Sequence, residues 1–100
     1  MGDTHRVPLS VLDGRDRAVV TLDGRPVVLF HVEDRVHAFE NRCPHEGNPL
    51  SEGEILGSTL TCVFHNWRFD LETGACVFGD LPARRFDAEL TNGVIVVRLD

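Results

Sequence analysis

Short apolar runs punctuated by Gly, Asp and Asn dominate this chain, and no stretch sustains a helical period long enough for an ordinary amphipathic helix. The pattern therefore predicts strands. Arg17 to Leu22 and Pro26 to Val32 flank Asp23-Gly24, a pair that supplies the positive φ angles of a tight hairpin turn. Val36 to Glu40 reads as the next strand, after Glu33-Asp34. Glu54 to Leu56 and Thr59 to Cys62 bracket Gly57-Ser58, Trp67 to Asp70 and Ala75 to Phe78 pair across Leu71 to Gly74, and Arg84 to Leu90 and Val94 to Leu99 flank Asn92-Gly93. Single helical turns fit only near Leu9 to Leu12 and within residues 46 to 52. About eight short strands with frequent turns predict an all-β fold, a barrel-like sandwich of stacked antiparallel sheets.

Length changes this picture little: 100 residues make one domain, residues 1–100, with one modest core. A hydrophobic content of 42% spread along the chain argues for a folded globule. There is no internal repeat, low-complexity tract or linker. No segment approaches the about 20 consecutive apolar residues of a membrane span, and Met1 to Ser10 lacks the apolar core of a signal peptide, so the expected location is the cytoplasm, with no membrane partner. A net charge of -6 argues against nucleic acid as a partner, because phosphate binding needs clustered Lys and Arg.

The chemistry concentrates in two Cys/His pairs, Cys43-Pro44-His45 and Cys62-Val63-Phe64-His65. In extended chain, side chains two apart point the same way, so Cys43 and His45 can face one site with Pro44 turned aside. A tight turn between Cys62 and His65 does the same for the second pair. Loops meeting about a pseudo-twofold would gather thiolates at one end and imidazoles at the other. Two thiolates and two imidazoles sorted in this way are the ligand set of a Rieske 2Fe-2S centre, where two His replace two Cys on one iron. The alternative is one structural zinc held by Cys2His2, although zinc modules usually keep like ligands together and this chain alternates them. All-thiolate ferredoxin spacings do not fit, since the chain has three cysteines and only two lie in the paired loops. Cys76 is left over and reads as a small apolar filler in a strand. His5, His31 and His37 lie outside the loops and read as surface or strand packing. Neither a nucleophile–base pair nor an open metal position is evident, so the chain is not expected to be an enzyme in its own right.

The stretch from Cys43 through Gly53, followed by Cys62-Val63-Phe64-His65-Asn66-Trp67-Arg68-Phe69-Asp70 and Thr73-Gly74, resembles the Rieske-type ferredoxins and the Rieske domains of bacterial oxygenases. The ligand motif is highly specific, and the strands before Cys43 and the ending Gly93 to Val97 support it across nearly the whole chain. The resemblance implies that Cys43 and Cys62 hold the inner iron and that His45 and His65, through Nδ1, hold the outer iron at the tip. It also implies a cluster-binding subdomain, about residues 43–78, inserted in a β base. High-potential relatives add a disulfide between the loops and a Ser two residues after the second His. Here Trp67 stands at that Ser position and neither loop carries the extra cysteines, which places the expected potential at the low end of the Rieske range. Leu50, Phe64 and Trp67 are candidates for shielding the cluster from water, and Gly47, Gly53 and Gly74 for turns and close approach. Gly79-Asp80-Leu81-Pro82 occupies the place of the proline loop that covers the cluster in relatives.

The implied function is a Rieske ferredoxin, a monomer passing single electrons from a flavin-containing reductase to a terminal oxygenase of the ring-hydroxylating type. Its acidity suits basic docking surfaces on such partners. The catalytic iron of Rieske oxygenases sits in a second, larger domain that does not fit in 100 residues, which favours the carrier. The rival assignments are the small subunit of an assimilatory nitrite reductase, the ferredoxin component of a diiron monooxygenase, and a structural zinc-binding interaction module.

Overall fold

The turn chemistry resolves into two antiparallel sheets. The computed structural model describes residues 3–44, 47–62, 66–78 and 81–99. Among them, both chain ends contribute to a larger sheet: β1 (Asp3–Pro8), β2 (Arg17–Leu22), β3 (Arg25–Val32), β4 (Arg35–Glu40), β9 (Arg85–Thr91) and β10 (Val94–Leu99), in the order β1-β10-β9-β4-β3-β2. The middle of the chain makes a smaller one from β5 (Glu54–Leu56), β6 (Thr59–Thr61), β7 (Arg68–Asp70) and β8 (Cys76–Phe78), paired in sequence order. Leu9–Leu12 and Leu50–Glu52 form short helical turns. The all-β expectation is met.

The hairpins close as their turn residues dictate. Asp23 and Gly24 take φ of 54° and 77°, and Asn92 and Gly93 take 50° and 76°. Positive φ at both central positions matches the right-handed twist of the flanking strands. Register follows, with Leu22 opposite Arg25 and Thr91 opposite Val94.

The first strand was not expected from the pattern. Within it Val7 is buried while Thr4, Arg6 and Pro8 are exposed, and the other inward position is His5, so no apolar alternation shows. Its partner imposes the extended form instead: β1 runs antiparallel to β10 from Asp3 opposite Leu99 to Pro8 opposite Val94.

Two cores flank the larger sheet. Val7, Leu22, Val27, Leu29, Val36, Ala38, Phe86, Ile95 and Val97 pack in one; Val28, Phe30, Phe39, Leu50, Leu60, Phe69 and Leu71 pack in the other, together with Cys43 and Cys62. Successive residues of a strand point to opposite faces, so Val27, Val28, Leu29 and Phe30, all fully buried, divide between the two. A continuous apolar run is what a strand covered on both faces requires. Phe30 and Phe39 meet edge to face, with centroids 6.2 Å apart.

Gly53 ties the Leu50 turn to β6. A Cβ there would lie 2.7 Å from the Thr61 carbonyl oxygen and 3.0 Å from that of Leu50. Backbone cannot yield as a side-chain tip can, so Gly53→Ala should cost about 1–3 kcal/mol, read as a lower denaturation midpoint. A midpoint equal to wild type would show that this approach is looser than the geometry indicates.

Candidate metal centre

The two cysteines stand where strands give way to loops. After β4, Asn41 N–H donates to Pro26 O and Arg42 N–H to Glu40 O, turning the chain sharply before Cys43. Cys62 directly follows β6. Both side chains are 1% exposed, both belong to the second core, and neither is in a disulfide.

The loops that follow are built alike. Cys43 N–H donates to Asn48 O at 2.6 Å and Cys62 N–H to Trp67 O at 2.7 Å, five positions on in each case. Four positions after each cysteine the backbone turns left-handed, at Gly47 with φ 78° and at Asn66 with φ 57°. Gly and Asn are the residues that tolerate this conformation best. Gly47 N–H also closes onto Cys43 O at 2.8 Å. Such a repeat of hydrogen bond and dihedral is what a pseudo-twofold between loops demands.

Chemically, the described residues offer two thiols, the sulfur half of the expected donor set. His45 and His65 lie outside the described residues, as do Phe64 and Gly79-Asp80. Among the described residues no group of three or more His, Cys, Asp and Glu converges. Two buried, unbridged thiols in matched loops nevertheless fit a centre that takes sulfur from one side. Leu50 is fully buried beside them, and Trp67, half-buried, packs on the same core with its ring 6.5 Å from that of Phe69. The two candidate shields among the described residues, Leu50 and Trp67, thus lie in the core that holds both cysteines. Cys76 lies in β8 opposite Phe69 and packs half-buried against that core, as a filler would.

A family model of the Rieske [2Fe-2S] domain matches residues 6–89. The chain belongs to the Rieske 2Fe-2S domain family. This Rieske domain therefore carries one Rieske-type 2Fe-2S cluster, and the match selects iron–sulfur over the single zinc. It is 36% identical over 64 residues to the ferredoxin component of the naphthalene 1,2-dioxygenase system of Pseudomonas putida, covering 64% of this chain and 61% of that protein. It is 39% identical over 66 residues to the oxidoreductase NdmD of Pseudomonas putida, covering 65% of this chain and 11% of that protein. The chain thus spans less than two thirds of the length of either relative. Among solved structures, the ferredoxin of carbazole 1,9a-dioxygenase from Nocardioides aromaticivorans IC177 superposes with a TM-score of 0.79 at 28% identity, over 92% of this chain and 95% of that one.

Two features of the Rieske domain escaped the sequence reading. Asn41 Oδ1 accepts the Ser51 N–H at 2.7 Å, and Arg17 reaches the same segment from β2. Neither residue sits in a motif, and only the tertiary fold brings them there. His37, read as surface or strand packing, is 4% exposed on the second-core face of β4, and its Nδ1 has no hydrogen-bond partner among the described residues. Burial holds its imidazole below the usual 6.5; Glu72 and Asp70 oppose this, and Arg85 and Arg35 add to it. The unfolded chain takes up that proton near 6.5 and the folded chain only at lower pH. Stability should therefore be full above this range and fall as pH drops through it, with the slope reduced in His37→Gln. Denaturant titrations of both proteins from neutral to mildly acidic pH check this; parallel curves would remove His37 as the cause.

Proposed function

We propose that the chain is a Rieske ferredoxin that carries single electrons from a flavin-containing reductase to a terminal oxygenase of the ring-hydroxylating type, and transforms no substrate itself. The observation that supports this most is the pair of buried thiols in matched loops, within a fold that covers a carbazole dioxygenase ferredoxin almost end to end. Ferredoxin components also figure among its sequence relatives.

In this reading Cys43 and Cys62 hold the inner iron, His45 and His65 the outer one, and residues 43–78 form the cluster-binding part of a single domain. The bound cluster supplies a one-electron couple, with neutral imidazoles lifting its potential above that of all-cysteine ferredoxins. The chain's own residues do the rest. Leu50 and Trp67 exclude water from the sulfur side, and the loop hydrogen bonds fix where the cysteines point. Net charge of -6 favours partners with basic docking surfaces, reached by salt-sensitive steering. No helix among the described residues is long and apolar enough to cross a membrane. A monomer in the cytoplasm is the setting we propose.

The test is reconstitution. With NADH, a flavin reductase and a ring-hydroxylating oxygenase, product should form only when the reduced, EPR-active protein is added, and the rate should fall as salt is raised. Purification in a fixed complex with a large reductase or monooxygenase subunit, with no transfer to any oxygenase, would overturn it.

A further inference from the structure

Outside the cysteine loops, Arg17 makes an unusual set of contacts. Its Nη1 donates to Ser51 O at 2.9 Å and also to Gly53 O, carbonyls 34 and 36 residues away in sequence. Its guanidinium lies 5.1 Å over the ring of Phe30, a fully buried member of the second core. Nε and Nη2 take the two oxygens of Asp16 at 3.0 and 3.1 Å. The Arg17 side chain is only 24% exposed. A planar fork with donors on both edges can meet all of these at once, which an ammonium cannot.

The segment it grips touches both halves of the site. Upstream, Asn48 O receives the Cys43 N–H; downstream, Gly53 runs so near the carbonyl of Thr61, the residue before Cys62, that an added Cβ would lie 2.7 Å from its oxygen. Leu50 between them is buried in one core with both cysteines, and Asn41 holds Ser51 from the other side. A simple ion pair with Asp16 does not explain this geometry. Asp16 is 59% exposed, and exposed pairs contribute little.

We propose that Arg17 is a positioning residue for the cluster: it clamps the Leu50–Gly53 segment over the two cysteine loops and so sets how far water reaches the sulfur side. Solvent access is one of the factors that fix an iron–sulfur potential and the lifetime of the cluster. This inference rests on the cluster reading given above.

Arg17→Gln, Arg17→Lys and Asp16→Asn, prepared as cluster-loaded proteins, test it by cluster loss to a chelator, midpoint potential by voltammetry, and melting temperature. Losing two cation-assisted hydrogen bonds to the segment should speed cluster loss by about tenfold in Arg17→Gln and displace its potential. Arg17→Lys should lie between it and wild type, and Asp16→Asn should stay near wild type. Should Arg17→Gln fail to fold, faster cluster loss and a displaced potential in Arg17→Lys than in wild type carry the same test, and wild-type values for both would overturn the proposal. A lowered melting temperature in Arg17→Gln with unchanged loss rate and potential would reduce Arg17 to a structural brace and overturn the proposal, as would Asp16→Asn reproducing its effects. A wild-type protein lacking the reduced-state EPR signal would instead overturn the cluster reading itself.

Discussion

Cys62→Ala and His65→Ala should each abolish the visible absorption and reduced-state EPR signal of the cluster, while Cys76→Ser should keep both. Cys62 is buried at the mouth of its loop, with its amide committed to Trp67 O. In the proposed assignment, removing its thiolate would leave the inner iron one ligand short. His65→Ala tests the other iron, and because metal binding is coupled to folding, both variants should also melt earlier than wild type. Cys76 points into the same core from β8 but lies in neither loop, so exchanging sulfur for oxygen there should alter packing without altering the spectrum. If Cys76→Ser bleached the protein and Cys62→Ala did not, the cysteines would have to be reassigned.

Phe39→Ala should be the most destabilising change outside the ligands, at about 3–5 kcal/mol. Phe39 is fully buried, stands edge-on to Phe30, and lies on the strand that delivers Cys43. Gly74 is seated against it: a Cβ there would come 3.7 Å from Phe39 Cε2. Collapse cannot fill the void easily, because two sheets and the Asp70–Gly74 turn meet around it. A loss of this size is a large share of the stability of any small domain. Urea denaturation gives the number, and Val19→Ala, at a strand position 48% exposed, should by comparison move the midpoint little. A change below about 1 kcal/mol in Phe39→Ala would mean that the second core repacks, contrary to its close fit.

Local chemistry made most strands legible. Arg17–Leu22, Glu54–Leu56 and Val94–Leu99 match their expected limits, and Leu9–Leu12 is a helical turn, because each is bounded by turn residues that act within a few positions. What escaped depends on distant partners. β1 carries His5 where an apolar residue would have marked it. The pairing of β4 with β9, Ala38 opposite Phe86, joins segments separated by the whole smaller sheet, and no spacing rule announces it. The same holds at the centre. Cys43 and Cys62 were legible as a pair from the motif, and the structure buries them in one core; the hold that Asn41 and Arg17 take on the segment beside them was not, since it is made on a backbone N–H and on backbone carbonyls, which mark no residue type.

Residues Val27 to Phe30 alternate between the two cores, and this binds the fate of one to the other. A peptide cut out at residues 43–78 would keep both cysteines yet leave behind Val28, Phe30 and Phe39, the floor on which they rest. Such a fragment would offer its thiols to water, so grafting this cluster site elsewhere requires transplanting the long hairpin beneath it as well.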